Sequence, residues 1–373
     1  MKKHALRSTR FLTLLGVFLL LWSCNKDDDD TMIDTLEIPE TYSFDNVNYS
    51  GQTQRLAMLL EMKNYMKTAV TDGAQLDAER LKAMYANDAA NANWSGTYED
   101  SKQLKSKTFE NQQAVFEALI DEVVEASKST VPGVKGQAGI VESLDGAKSY
   151  LLGADGLDHA QLIEKGLMGA CFYYQATSVY MGEDRMNVDN TTVEPGEGTE
   201  MEHHWDEAFG YFGVPKDFPT NLEGLFFWGD YSNKRNEVLG CNQIAMDALL
   251  KGRAAISANE LDIRDEAIDE AREIWELIAV GSGLHYLNET IAHFDDMAIR
   301  GHALSEGIAF VYSLQFNTTK QITNDQVGEL LTLMGGASDF SAMDLYVVEL
   351  ADLQSAKDEL AQYYGLEDQK DDF

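Results

Sequence analysis

The chain has 373 residues, of which 44% are hydrophobic and 25% charged. That is the balance of a globular protein, long enough for one large domain or two ordinary ones, and not that of a disordered chain. With 29 Lys and Arg against 63 Asp and Glu, the net charge is −34. This excludes a nucleic-acid partner, which needs a basic footprint, and suits a soluble exported body or one that collects cations. Only five prolines occur, which favours helices over an all-β design.

Residues 1–23 read as an export signal. Lys2, Lys3, Arg7 and Arg10 precede an apolar run over 11–22, too short for a membrane span of about 20 residues. The run ends Leu21-Trp22-Ser23-Cys24, which resembles a bacterial lipobox. Cys24 is therefore expected to carry a lipid that holds the protein on a membrane. Residues 24–45 follow as lipidated cysteine, acidic tether and extended lead-in. Lys26 and Asp27, Asp28, Asp29 and Asp30 read as a solvated spacer. They are also similar to the surface-export signal of Bacteroidetes-type lipoproteins. The expected location is the outer membrane, facing the periplasm or the cell surface.

The helical signal begins at 50–69, where Leu56, Leu59, Leu60 and Met66 recur at helical spacing. A shorter helix is predicted over 76–85 and a clear one over 108–129, ended by Pro132-Gly133. The Gly-rich stretch to Gly156 reads as loop. Residues 159–181 are apolar nearly all round, the mark of a central buried helix. Thr199-x-x-Glu202 has capping-box form and opens the next helix. An aromatic loop with Phe226-Phe227-Trp228 follows, too apolar to be fully exposed. Helices are then predicted over 233–256, 260–280, 284–316 as one or two, 324–334 and 341–364. About ten helices and no convincing strand pattern indicate an all-α helical-bundle protein. The expected organisation is an N-terminal half at 46–190 and a C-terminal half at 191–373. Cys171 and Cys241 lie in apolar helical stretches and are expected to be two buried thiols.

Two His/Glu clusters carry chemistry. Glu202-His203-His204-Trp205-Asp206-Glu207 places His204 and Glu207 three apart, and His203 and Glu207 four apart, on one helix face. Such a face can supply two metal ligands, or it is a solvated helix start where acids suit the helix dipole. His302 and Glu306, four apart, are a second candidate pair, or a core histidine satisfied by a carboxylate. No His-Glu-x-x-His, Gly-x-Ser-x-Gly, Walker or zinc-type cysteine motif occurs, so an enzyme is the weaker expectation.

At these residues a resemblance enters. The stretches 49–56, 161–167, 203–212 and 251–255, the Phe227-Trp228 loop and 302–306 are similar to a domain-of-unknown-function branch of Bacteroidetes-type lipoproteins, within the imelysin-like group. The resemblance implies two four-helix-bundle-like halves and a Gly-x-His-x-x-Glu motif beside a pocket between them. It also implies an association with iron uptake or regulation. His204-x-x-Glu207 matches the motif, and Glu202 stands where the group has glycine.

The leading expectation is therefore a lipid-anchored binding protein that captures a metal or a metal-bearing ligand. Iron is favoured, with zinc or manganese open. His204 and Glu207 would be the primary ligands. His203, Glu202 and Asp206 would be alternatives or neighbours, and His302 and Glu306 would come from the other half. The alternative is a module binding an organic ligand or a partner protein through Trp205, Tyr211, Phe212, Phe227 and Trp228. A hydrolase with Glu207 as base and His204 as acid is weaker still.

Overall fold

The first described element bears out the helical spacing. In the computed structural model, helix α1 (Ser50–Thr71) buries Leu56, Leu59, Met62 and Met66, the side chains that recur on one face. The structure describes residues 36–373. The leader, Cys24 and the acidic tether lie outside the described residues. No helix among the described residues is long and apolar enough to cross a membrane.

Helix α2 (Ala78–Ala86) starts where the Asp77 carboxylate accepts from the N–H groups of Glu79 and Arg80. A single turn, α3 (Ala89–Ala92), follows. The helix predicted from 108 begins later, as α4 (Gln113–Ser127). The Phe109 N–H instead donates outward to the Ala170 carbonyl, at 2.8 Å.

The Gly-rich stretch holds the one sheet among the described residues, an antiparallel hairpin of β1 (Gly139–Glu142) and β2 (Ser149–Leu152). Four-residue strands are too short for an alternating pattern to stand out. Gly139 is required here, because a Cβ would lie 2.2 Å from the Val131 carbonyl oxygen.

Helix α5 (His159–Leu167) continues without a break into a π-helix over Met168–Tyr180. Short α6 (Glu183–Met186) and a long loop lead to α7 (Glu200–Phe212). The expected capping box is present at α7. Thr199 Oγ1 accepts from the Glu202 N–H, and the Glu202 carboxylate accepts from the Thr199 N–H.

The helix predicted over 233–256 is two helices, α8 (Trp228–Leu239) and α9 (Cys241–Ala258), split by Gly240 at φ +61°. Conversely, the break predicted near 281–283 does not occur, and α10 (Leu261–Ala292) runs through it. Its glycines serve close packing: a Cβ on Gly281 would meet the Phe373 ring at 2.7 Å. Helix α11 (Met297–Ser313), α12 (Asn324–Gly335) with its own Thr323/Gln326 capping box, and α13 (Leu350–Tyr364) complete the chain. The last helix starts nine residues later than predicted, after a 3-10 turn at Phe340–Ala342.

The protein is mainly all-α, with 13 α-helices around one hydrophobic core among the described residues. Helix α10 lies against α9 and α11, and α7 lies against both the π-helix and α1. Trp205, Trp228 and Trp275 are fully buried. Cys171 and Cys241 are buried free thiols. Burial pushes the Cys171 thiol up to about 12, so it is not a ready nucleophile.

Candidate functional site

Helix α7 presents its acids and histidines to two different sides. On the inner side, Arg253 of α9 holds two of them: Nη1 reaches Glu202 Oε1 at 2.5 Å and Nε reaches Asp206 Oδ1 at 2.9 Å. The Tyr42 hydroxyl also donates to Asp206, at 2.7 Å. Burial pushes the Asp206 carboxyl up to about 6, against the pull of Arg253. Glu202 and Asp206 are therefore partners of an internal cation, with Asp206 Oδ2 left buried and without a hydrogen-bond partner.

The other side carries Glu207. Its Oε1 accepts from the Gln52 amide at 2.8 Å and from the Tyr180 hydroxyl at 3.0 Å. Its Oε2 lies 3.3 Å from His204 Nδ1 and 3.8 Å from His203 Nε2. Burial would raise the Glu207 carboxyl, but these donors and the field of His203 outweigh it and push it down to about 2. A carboxylate held so acidic is a poor general base near neutral pH.

His204 is bound on both ring nitrogens. Arg185 Nη1 stands 3.3 Å from its Nε2. A guanidinium can only donate, so Nε2 accepts and Nδ1 carries the proton toward Glu207. His204 and Glu207 do meet, as their spacing predicts. They meet as links in a hydrogen-bond chain, Arg185 to His204 to Glu207, in which the Nε2 lone pair is already occupied.

His203 faces outward over a cleft of about 580 Å3, lined by the start of α1, the 189–198 loop and α7. Its Nδ1 lies 2.9 Å from Glu197 Oε2. The two atoms nonetheless fail the angle of a hydrogen bond, and Nδ1 is a buried atom without a hydrogen-bond partner. Asn48 donates to the other oxygen of Glu197 at 2.7 Å. Asp189, Glu194, Glu197, Glu200 and Glu207 line the cleft, with Lys102 as its one Lys or Arg. Among the described residues, no group of three or more His, Cys, Asp or Glu is arranged to hold a metal ion.

The second cluster does not join the first. His302 lines a separate cavity. Its Nδ1 donates to Asp158, the N-cap of α5, at 2.8 Å, and its ring stacks on Tyr150 with centroids 3.9 Å apart. Glu306 turns instead to the buried Lys165, at 3.3 Å, which also binds Glu164 at 2.6 Å. Burial opposes the charge on Glu164, yet Lys165 and Lys63 keep its carboxyl below the usual range.

The aromatic candidates lie in the interior. Trp205 donates its indole N–H to the Leu249 carbonyl at 2.9 Å, and Trp228 donates to that of Met168 at 2.8 Å. Tyr211 and Phe212 are buried, as is Phe227 at 8% exposure. All five are packing side chains inside the core, with no open face between them. Sequence reasoning missed Arg185, Tyr180 and Gln52. Gln52 lies in the 49–56 stretch and Tyr180 in the apolar 159–181 helix, but neither has a local feature that marks it as a partner of Glu207, and a lone arginine in a four-residue helix gives no signal.

A family model described as "Domain of unknown function (DUF4856)" matches residues 39–367, so the chain belongs to that family. No curated protein and no solved structure matches it.

Proposed function

For this DUF4856 member, we propose a role in ligand capture. It is an imelysin-like, lipid-anchored, extracytoplasmic binding protein that takes a metal-bearing cation, iron favoured, into the cleft beside α7 and hands it on without turnover. The observation that carries this reading is the pairing of His203 with Glu197 on the wall of an acid-lined cleft. Two ligands at right angles on one six-coordinate ion, each about 2.0–2.2 Å from it, stand about 3 Å apart. The 2.9 Å separation without hydrogen-bond angle therefore suits an ion placed between them. A site with two protein ligands leaves the ion its waters or its own chelator. That favours a hydrated or chelated cargo, held loosely enough to be released. Imidazole with carboxylates suits iron, zinc or manganese alike.

The roles within the site change with the geometry. His203 and Glu197 take the ligand positions, with Glu200 beside them, and His204 and Glu207 fix the helix that presents His203. The acidic Glu207 and the occupied His204 favour binding over hydrolysis.

The test is calorimetric titration and elemental analysis of the tag-free protein with ferrous, ferric, zinc and manganese ions. Saturable binding, weakened about tenfold or more (about 1.4 kcal/mol) by His203→Ala with Glu197→Gln while the circular dichroism is unchanged, is the expected result. A folded wild type that binds none of them at micromolar levels ends the proposal. Labelling with a radioactive fatty acid, lost in Cys24→Ala, checks the anchor.

A further inference from the structure

The cavity beside His302 is a feature that the α7 cleft leaves unexplained. It measures about 310 Å3 and sits between α1, α4, the hairpin, α5 and α11, at the lower end of the roughly 300–1,000 Å3 of small-molecule sites. One side is apolar, made by Met66, Val70, Val123 and Leu151. The other is polar and built from groups that the fold holds firmly. Asp158 is 5% exposed and Glu164 is 2% exposed. His302 is fixed by the Asp158 bond and by stacking on Tyr150.

The two carboxylates of this lining, Asp158 and Glu164, already have partners. Glu164 already has Lys63 at 2.9 Å and Lys165 at 2.6 Å. Asp158 already accepts from His302. Each carboxylate is thus matched before a ligand arrives. Lys67 lies on the lining and is exposed, and Nε2 is the atom left on the His302 ring. Burial alone would discharge His302, but the bond and the charge of Asp158 raise its affinity for a proton, Glu306 adds to them, and Lys165 opposes. A protonated ring offers Nε2–H as a donor. The lining also holds an acceptor without a partner, the buried Gln161 Oε1.

We propose that this cavity binds a small organic carboxylate whose apolar body carries one hydrogen-bond donor. The carboxylate takes Lys67 and His302 Nε2, the body lies on Met66, Val70, Val123 and Leu151, and the donor meets Gln161 Oε1. The site is independent of the α7 cleft and needs no metal.

The experiment is isothermal titration of the full chain in detergent with 4-hydroxyphenylacetate and with tyramine, its counterpart bearing an ammonium in place of the carboxylate. The acid binds one to one, about tenfold or more tighter than the amine. His302→Phe weakens it by about tenfold (about 1.4 kcal/mol), and the exposed Lys67→Glu, which leaves the core untouched, weakens it by a similar factor. His203→Ala with Glu197→Gln leaves it unchanged, which separates this site from the proposed capture cleft. The proposal is overturned if tyramine binds as well as the acid, or if the folded chain binds no acid at millimolar concentration. It is equally overturned if acid binding survives both Lys67→Glu and His302→Phe.

Discussion

His204-x-x-Glu207 and His302-x-x-x-Glu306 are two versions of one local pattern, and the fold treats them in opposite ways. On α7 the pair closes, His204 Nδ1 to Glu207 Oε2 at 3.3 Å. On α11 it opens: His302 goes to Asp158 and Glu306 goes to Lys165. Spacing puts two side chains on one helix face, but the choice of partner belongs to whatever the next element brings. Beside α7 stand the amide of Gln52 and the hydroxyl of Tyr180, donors that leave Glu207 a compact anion. Beside α11 stands α5, with a carboxylate at its cap and a buried lysine about two turns further on. A carboxylate and an ammonium outbid the neighbour on the same helix.

The largest effect that tests this contrast is at Lys165. Lys165→Met leaves Glu306 without its cation and Glu164 with only Lys63, both of them buried. Removing one partner of a buried ion pair costs about 3–5 kcal/mol, read as a fall in chemical-denaturation midpoint. A loss under about 1 kcal/mol would mean that the network relaxes or takes up water, and the contrast with α7 would fade.

The next effect is at Glu207 and depends on pH. Its carboxyl is pushed down to about 2 from 4.5, so its contribution to stability is fully present above pH 4.5 and is lost as the pH falls through 2. Glu207→Gln should flatten that part of the acid-denaturation curve, removing about 2–3 kcal/mol of the wild type's loss between pH 5 and 2. Parallel curves for the two proteins would show that the surrounding donors do not act on the charge.

The smallest effect is at Arg185. Arg185→Ala removes the donor from His204 Nε2 and costs about 1 kcal/mol or less at this partly exposed pair. It also frees a lone pair beside the cleft. Zinc affinity should rise in the variant, and a further His204→Ala should cancel the rise. An unchanged affinity would place His204 outside reach of any bound ion.

Much of the fold was legible in the residues. Thr199 and Glu202 announced the start of α7 because a capping box is a local device, complete within four residues. The helical spacing of 50–69 and the all-round apolarity of 159–181 announced buried helices for the same reason. The misreadings share a cause of a different kind. Gly281 and Gly283 looked like a break, whereas their missing side chains make room for Phe373 and Leu360, which sit far along the chain. The hairpin at Gly139–Leu152 was hidden because its strands are four residues each. In the candidate site, the helix face was readable and the partners were not. Nothing in the residues around His204 says that Arg185 will cover it, and nothing around His302 points to an aspartate 144 positions earlier.

The π-helix at Met168–Tyr180 has a consequence for the order in which the molecule assembles. Thirteen residues at that wider pitch far exceed the single turn usual for such structure. Each bond spans one residue more than in an α-helix, so more of the chain must be ordered before the first bond forms, and nucleation is costlier still. The segment gains stability only once its neighbours enclose it, with Trp228 donating into it at Met168 and Tyr180 docked on Glu207. It is therefore expected to acquire its shape late. Substitutions such as Ala176→Gly should speed unfolding and leave the folding rate nearly unchanged, so that this stretch sets the lifetime of the native state and not the time needed to reach it.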